Sequence, residues 1–380
     1  MTISKLFLVL LLALLVFASS GCGTVAKLAG TNEKCVVIAR RAQVRSSNAV
    51  VAADLLEVER GATLEIIGDD VYEGEKWYNV RAADENNTEG WIEARNVLTG
   101  KLLEQSKKLA EQDKDVSTQA TGQLRNASNL RIAPDRNADD NILQKLIGGD
   151  TFEIVGWQRV PKPADSDGDD KDDQTKSAPG KQNKTTKQQK PSEEVLRLDD
   201  KYDTWYRVRL NSAVSPAPAG WIYGKQVELT VPADIIFYRT GREFVAWRRI
   251  DGDSENSNSA TSIAAGKDAG KESKPGSWVI LERSSKIEEP NGEEPDFDHI
   301  RIIGYDKPNQ DHYKVYLSGK IKGFLPLRVT GSGDSRAIVV RLKGADGQVR
   351  DYTITTFKDA RGLVRANIPP DIPKEDKNDN

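Results

Sequence analysis

One block of sequence occurs twice, with the same companions in the same order. Gly61-Ala62-Thr63-Leu64-Glu65-Ile66-Ile67-Gly68 returns as Gly149-Asp150-Thr151-Phe152-Glu153-Ile154-Val155-Gly156. Upstream of the copies lie Val44-Arg45 and Leu130-Arg131. Downstream come Trp77-Tyr78-Asn79-Val80-Arg81 and Trp205-Tyr206-Arg207-Val208-Arg209, and Gly-Trp-Ile closes each copy at 90–92 and 220–222. Blocks this rich in β-branched and aromatic residues, bounded by glycines, predict strands, so the chain carries two copies of one small β unit. The copies differ in one interval, because Gly68 precedes Trp77 by 9 positions whereas Gly156 precedes Trp205 by 49. The second copy therefore holds a long insert, about residues 161–191, made of Lys, Asp, Gln, Ser and Pro. With so little apolar surface to bury it is expected to be disordered, and loop-closure entropy grows slowly enough with length for the unit to accept it.

The pattern Val/Leu-Arg, Gly-x-Thr-x-Glu-Ile-x-Gly, Trp-Tyr-x-Val-Arg, Gly-Trp-Ile resembles the bacterial Src-homology-3 (SH3b) domains. The resemblance covers residues 34–99 and 122–230. It implies two small β-barrels of a kind that extracytoplasmic proteins use for targeting or peptide binding. Such a likeness bears on fold more than on function.

Residues 100–121 join the modules, and in Gly100 to Lys114 the residues Leu102, Leu103, Leu109 and Ala110 recur near helical spacing among Lys, Glu and Gln. This predicts an amphipathic linker helix whose narrow apolar stripe packs on a module. From residue 233 to 369 strand-like segments follow one another, starting with Ile235–Tyr238 and Phe244–Ile250. They are separated by turn signals such as Lys307-Pro308, Asn291-Gly292, Gly331-Ser332-Gly333 and Asp346-Gly347. The expectation is an antiparallel β-sandwich or barrel of no recognised family, with a second polar insert at about 252–276 and a charged tail at 370–380. The fold class is thus all-β: two SH3-like barrels, one helix and a C-terminal β-domain.

At the N-terminus, Leu6 to Ala18 is an unbroken apolar run, too short for a comfortable membrane span and suited to a signal peptide at residues 1–21. Gly21-Cys22 after Ser19-Ser20 resembles a bacterial lipobox, although that family usually has leucine where Ser19 stands. The resemblance implies lipid on Cys22, a membrane anchor, and a place on the periplasmic face of the outer membrane or at the cell surface. Simple secretion is the alternative.

Composition removes several functions. Lys plus Arg number 55 against 58 Asp plus Glu, a net charge of −3, which gives no electrostatic reason to expect nucleic acid. Two cysteines and two histidines cannot build a disulfide framework or a zinc cluster, so neither metal nor cofactor is expected. With Cys22 lipidated, Cys35 is a lone thiol, read as a small buried hydrophobe in the first strand.

Three constellations remain. Alternation along a strand sets Tyr78 and Val80 on one face and Trp77 and Arg81 on the other, as it does Tyr206 and Val208 against Trp205 and Arg209. With the apolar pair in the core, Trp77, Trp91, Trp205 and Trp221 either cap the ends of small barrels or line a ligand groove. In such a groove Arg81 and Arg209 would meet carboxylates. The acidic run Asp165 to Asp173 resembles a calcium loop, but Lys176 stands where the ligating Glu belongs, so it reads as a solvated tract. Asp298-His299 is the best catalytic pair present, yet no nucleophile motif accompanies it. The expected function is therefore a non-enzymatic envelope lipoprotein that binds peptidoglycan or an envelope protein through its modules. The alternatives are a scaffold that docks through the C-terminal domain, and an enzyme centred on His299.

Overall fold

The structure is a computed structural model, described here for residues 33–49, 51–162, 202–239, 241–251, 275–284 and 295–375. The leader with Cys22, Asn291-Gly292, the acidic run Asp165 to Asp173, and most of both polar inserts lie outside the described residues. The described residues are all-β with one α-helix among them, and the chain divides into two compact units, residues 1–101 and 102–380.

The first unit is a seven-stranded antiparallel sheet of β1 (Glu33–Val37), β2 (Arg41–Arg45), β3 (Asp54–Glu59), β4 (Thr63–Tyr72), β5 (Glu75–Ala82), β6 (Glu89–Glu93) and β7 (Val97–Thr99), in the order β3-β2-β6-β5-β4-β1-β7. Its core is Val37 of β1 with Val44, Leu64, Val80 and Ile92 of the repeated blocks. The repeated glycines have local causes. Gly61 has φ +89°, a left-handed turn that glycine adopts without a Cβ penalty, and its counterpart Gly149 has φ +87°. A Cβ on Gly90 would lie 2.5 Å from the Arg45 carbonyl oxygen, and one on Gly220 would lie 2.9 Å from that of Arg131. Close backbone crossing thus requires the glycine of each Gly-Trp-Ile.

In the second unit α1 (Gly100–Gln112, beginning two residues before the division) leads into β8 (Ala120–Leu124), β9 (Ser128–Arg131), β10 (Ile142–Leu146), β11 (Thr151–Pro161), β12 (Tyr202–Arg209), β13 (Ala219–Tyr223) and β14 (Val227–Leu229). The sheet order β10-β9-β13-β12-β11-β8-β14 repeats that of the first module strand for strand. The register repeats as well. Glu65 faces Arg81 as Glu153 faces Arg209, Asp70 faces Trp77 as Gln158 faces Trp205, and a bulge interrupts the ladder before Gly68 and before Gly156.

The C-terminal domain is a sandwich of two four-stranded antiparallel sheets. One contains β15 (Glu243–Arg249), β16 (Trp278–Arg283), β17 (His299–Asp306) and β18 (Asp311–Leu317). The other contains β19 (Gly323–Thr330), β20 (Arg336–Lys343), β21 (Val349–Lys358) and β22 (Val364–Asn367). Their facing side chains, including Val279, Ile302, Leu327, Ile338 and Ile354, form one core. Asp346-Gly347 makes the β20–β21 hairpin, with Gly347 at φ +76° and its N–H donated to the Gly344 carbonyl. Ile235–Tyr238, expected as a strand, is instead a turn of 3-10 helix in which Tyr238 N–H donates to the Ile235 carbonyl. Only Ile235 of that run is buried, while Phe237 is 84% exposed.

The second module and the sandwich are stitched together. The Gln119 side-chain amide donates to the Leu327 carbonyl (3.1 Å) and accepts from the Leu327 N–H (2.6 Å), as a backbone amide would in a ladder. Its own carbonyl accepts from Trp247 N–H. Trp157, on the long arm of β11, packs against the sandwich core. Its indole N–H donates to the Asp296 carboxylate, and the Arg283 guanidinium lies 5.1 Å from its ring centre.

Candidate functional site

The strand registers carry Trp77, Asn79 and Arg81 to the outer face of the first module, opposite the Tyr78–Val80 core side. Glu89, Trp91 and Glu93 of β6 and Glu65, Asp70 and Tyr72 of β4 lie on the same face. Trp77 and Trp91 share it, but they are not equally available. Trp77 is only 6% exposed, whereas Trp91 is half-buried beside Asn79 and Arg45. Arg81 sits between two carboxylates, donating from Nε to Glu89 (2.8 Å) and from Nη1 to Glu65 (3.1 Å). These hydrogen bonds, Glu89's first, push its guanidinium pKa up. Arg45 pairs with Asp54 at 3.2 Å and Arg95 with Glu93 at 2.7 Å.

On the second module the corresponding face is occupied by α1. Trp205 (2% exposed), Trp221 (9%) and Tyr223 form an aromatic cluster against which Leu109 of the helix and Val160 pack. Ser106, fully buried, donates its hydroxyl to the Ala219 carbonyl (2.6 Å) and accepts from the Ala219 N–H (3.1 Å), so the helix is keyed to the β13 backbone. Arg207 donates to the Leu109 carbonyl in the last turn of the helix, where a cation is favoured, and to Gln112 Oε1. Its Nε lies 2.6 Å from the Asp113 carboxylate. Arg209 donates to the Asp113 and Val116 carbonyls (2.8 and 3.1 Å) and to Glu153 (3.1 Å). Trp205, Trp221 and Arg209, read from the sequence as candidate ligand residues, hold a segment of their own chain. Leu109, named in the apolar stripe that was expected to pack on a module, belongs to the same contact, as do Arg207 and Ser106, which the sequence did not single out. The only available signal was the narrow apolar stripe of the linker.

The Asp298-His299 pair forms as its adjacency suggested, with Asp298 Oδ1 2.8 Å from His299 Nδ1. Both Asp298 oxygens accept from the Ser284 N–H. Burial would raise the Asp298 carboxyl, but the hydrogen bonds from His299 and Ser284 outweigh it and hold the group below the usual carboxylate range. Among the described residues no Ser, Thr or Cys side chain is hydrogen-bonded to the His299 ring. Nor do three or more His, Cys, Asp or Glu side chains converge to hold a metal. Cys35 is buried, and desolvation, helped by Glu33, pushes its thiol up to about 12. Among the described residues no helix is long and apolar enough to cross a membrane.

No known protein family matches the chain, and no curated protein matches it in sequence. Among solved structures, NlpC2 from Trichomonas vaginalis aligns over 91% of this chain and 96% of its own at 10% identity, with a TM-score of 0.16. NlpC1 from the same organism aligns over 88% and 92% at 11% identity, with a TM-score of 0.15. Likenesses of that order carry no inference about fold or activity for this chain.

Proposed function

We propose that this chain is a non-catalytic binding protein of the cell envelope. In this reading the second module and the sandwich form a scaffold, and the first module presents a peptide-binding face. One observation carries the reading: the same face of the same fold, in the second copy, holds the segment of α1 through an aromatic floor, two arginines and the Ala219 backbone, to which the segment's own Ser106 bonds. The first copy keeps the strands, the register and both tryptophans. Its ligand would be a cell-wall peptide or a segment of an envelope protein, and lipid on Cys22 would hold the chain at the membrane.

The test is retention of the soluble chain from residue 23 by insoluble peptidoglycan and by immobilised envelope extract. Trp77 and Trp205 are buried, so Trp91→Ala is the informative variant. Loss of retention with an unchanged circular-dichroism spectrum supports the reading, and equal retention of parent and variant removes the face from it. For the anchor, Cys22→Ser should move the protein from the membrane to the soluble fraction, and a variant that stays membrane-bound would contradict lipidation there.

A scaffold reading has one observation in its favour. The 3-10 turn at Ile236–Tyr238 leaves Ile236 and Phe237 exposed on the second unit, an apolar pair suited to docking a protein. Phe237→Ser should then abolish capture of that partner while Trp91→Ala leaves it intact.

A further inference from the structure

The two copies match in register, so their outer faces can be compared position by position, and the comparison shows a reversal of charge. In the second copy Arg207 and Arg209 stand at the centre, Ala219 and Tyr223 lie beside them, and the occupant supplies carbonyl oxygens and the Asp113 carboxylate. In the first copy Asn79 replaces Arg207, Glu89 replaces Ala219, Glu93 replaces Tyr223, and Asp70 replaces Gln158. Glu75 stands where the second copy has Asp203, and Glu65 where it has Glu153. Glu65, Asp70, Glu75, Glu89 and Glu93 thus share a face whose cations are Arg81, Arg95, Lys34 opposite Glu65 and Arg45 opposite Trp91, the last paired with Asp54. Arg81 lies between two of those carboxylates, so the triad keeps a net negative charge. Within this rim stand two aromatic rings, Trp91 half-buried and Tyr72 at the tip of β4.

We infer that the outer face of the first module docks a lysine- or arginine-bearing polypeptide segment, the electrostatic opposite of the segment held by the second module. This rests on the peptide-face reading above. Carboxylates at half-exposed positions attract a cation without a prohibitive desolvation cost. The faces of Trp91 and Tyr72 can take the guanidinium or ammonium group by cation–π contact and its aliphatic stem by burial. Asn79, neutral where Arg207 is charged, removes one group that would repel it, and the other neighbour of Trp91, Arg45, is paired with Asp54.

The experiment uses the soluble chain from residue 23 and an array of random dodecapeptides of known sequence, followed by titration of the best binders. A first variant carries Asn79→Arg, Glu89→Ala and Glu93→Tyr, residues that the fold already accepts at the equivalent positions of the second module. A second variant is Trp91→Ala. The inference predicts a bound set enriched in Lys and Arg, and at least tenfold weaker binding of those peptides to the triple variant. It also predicts roughly tenfold weakening of the parent between low and high salt, because exposed charges are screened. A bound set without cationic bias, or unchanged affinity in the triple variant, overturns it. If Trp91→Ala still abolishes binding in that case, the peptide-face reading survives without it. Retention by insoluble peptidoglycan with no dodecapeptide bound overturns the cationic segment in favour of a cell-wall polymer. Binding indifferent to Trp91→Ala, or no binding to either probe, removes both.

Discussion

Cys35 shows how far one residue's environment can be read. As a lone thiol in the first strand it was read as a small buried hydrophobe, and burial pushes its pKa up to about 12. At pH 8 its thiolate is so scarce that iodoacetamide should label the native chain roughly a thousandfold more slowly than the urea-unfolded one. Equal rates would contradict this burial. Trp205 is the opposite case. Strand alternation placed it correctly on the outer face, but nothing local announced the helix that covers it, because the covering residue Leu109 lies almost a hundred positions away. Trp205→Ala should cost about 3–5 kcal/mol of second-unit stability in urea unfolding. A loss below 1 kcal/mol would mean that the ring is not packed. Asp298 gives a pH dependence. Its folded pKa is depressed, so ionisation favours the fold. That contribution is complete above the unfolded value near 4 and is lost as pH falls through the folded value. The urea midpoint of the parent should therefore fall more steeply below about pH 4 than that of Asp298→Asn.

At the scale of elements, strands were legible wherever alternation and a turn residue agreed. Thr63–Tyr72, Glu75–Ala82 and their counterparts follow from the repeated octamer and the Trp-Tyr blocks, and β20–β21 follows from Asp346-Gly347. Ile235–Tyr238 misled because an apolar run without alternation carries no period, and after Pro232 the local i to i+3 bonds won. Gln119 lay beyond sequence reasoning: its side chain acts as an added strand residue toward Leu327, 208 positions later. Gln119→Ala would leave the Leu327 N–H and carbonyl buried without partners, at about 1–3 kcal/mol for each group. Hydrogen exchange at Leu327 should accelerate sharply in that variant, and unchanged protection would show that water replaces the amide.

Across the whole molecule, the repeat suggested two equivalent modules and a separate C-terminal domain. The structure shows one module in a compact unit of its own and the other built into the sandwich. The determinants of that asymmetry, Ser106, Gln119 and Trp157, lie outside the repeated motifs or at positions where the copies differ, so the repeat itself could not reveal it. Two units predict two unfolding transitions. Ile92→Ala, which empties part of the first core, should shift one of them by about 2–5 kcal/mol and leave the other in place. A single shifted transition would mean that the units unfold together.

The serine of α1 that bonds both backbone groups of Ala219 has a practical consequence for dissecting the chain. By motif the second module begins at residue 122, and a fragment cut there would lose its helical cover and present Trp205, Trp221 and Tyr223 to water. Such a fragment should bind hydrophobic dyes and precipitate, while one cut at residue 102 stays clear. Limited proteolysis should accordingly spare the α1–β8 junction, so the stable piece recovered from a digest would carry its linker as its first structural element.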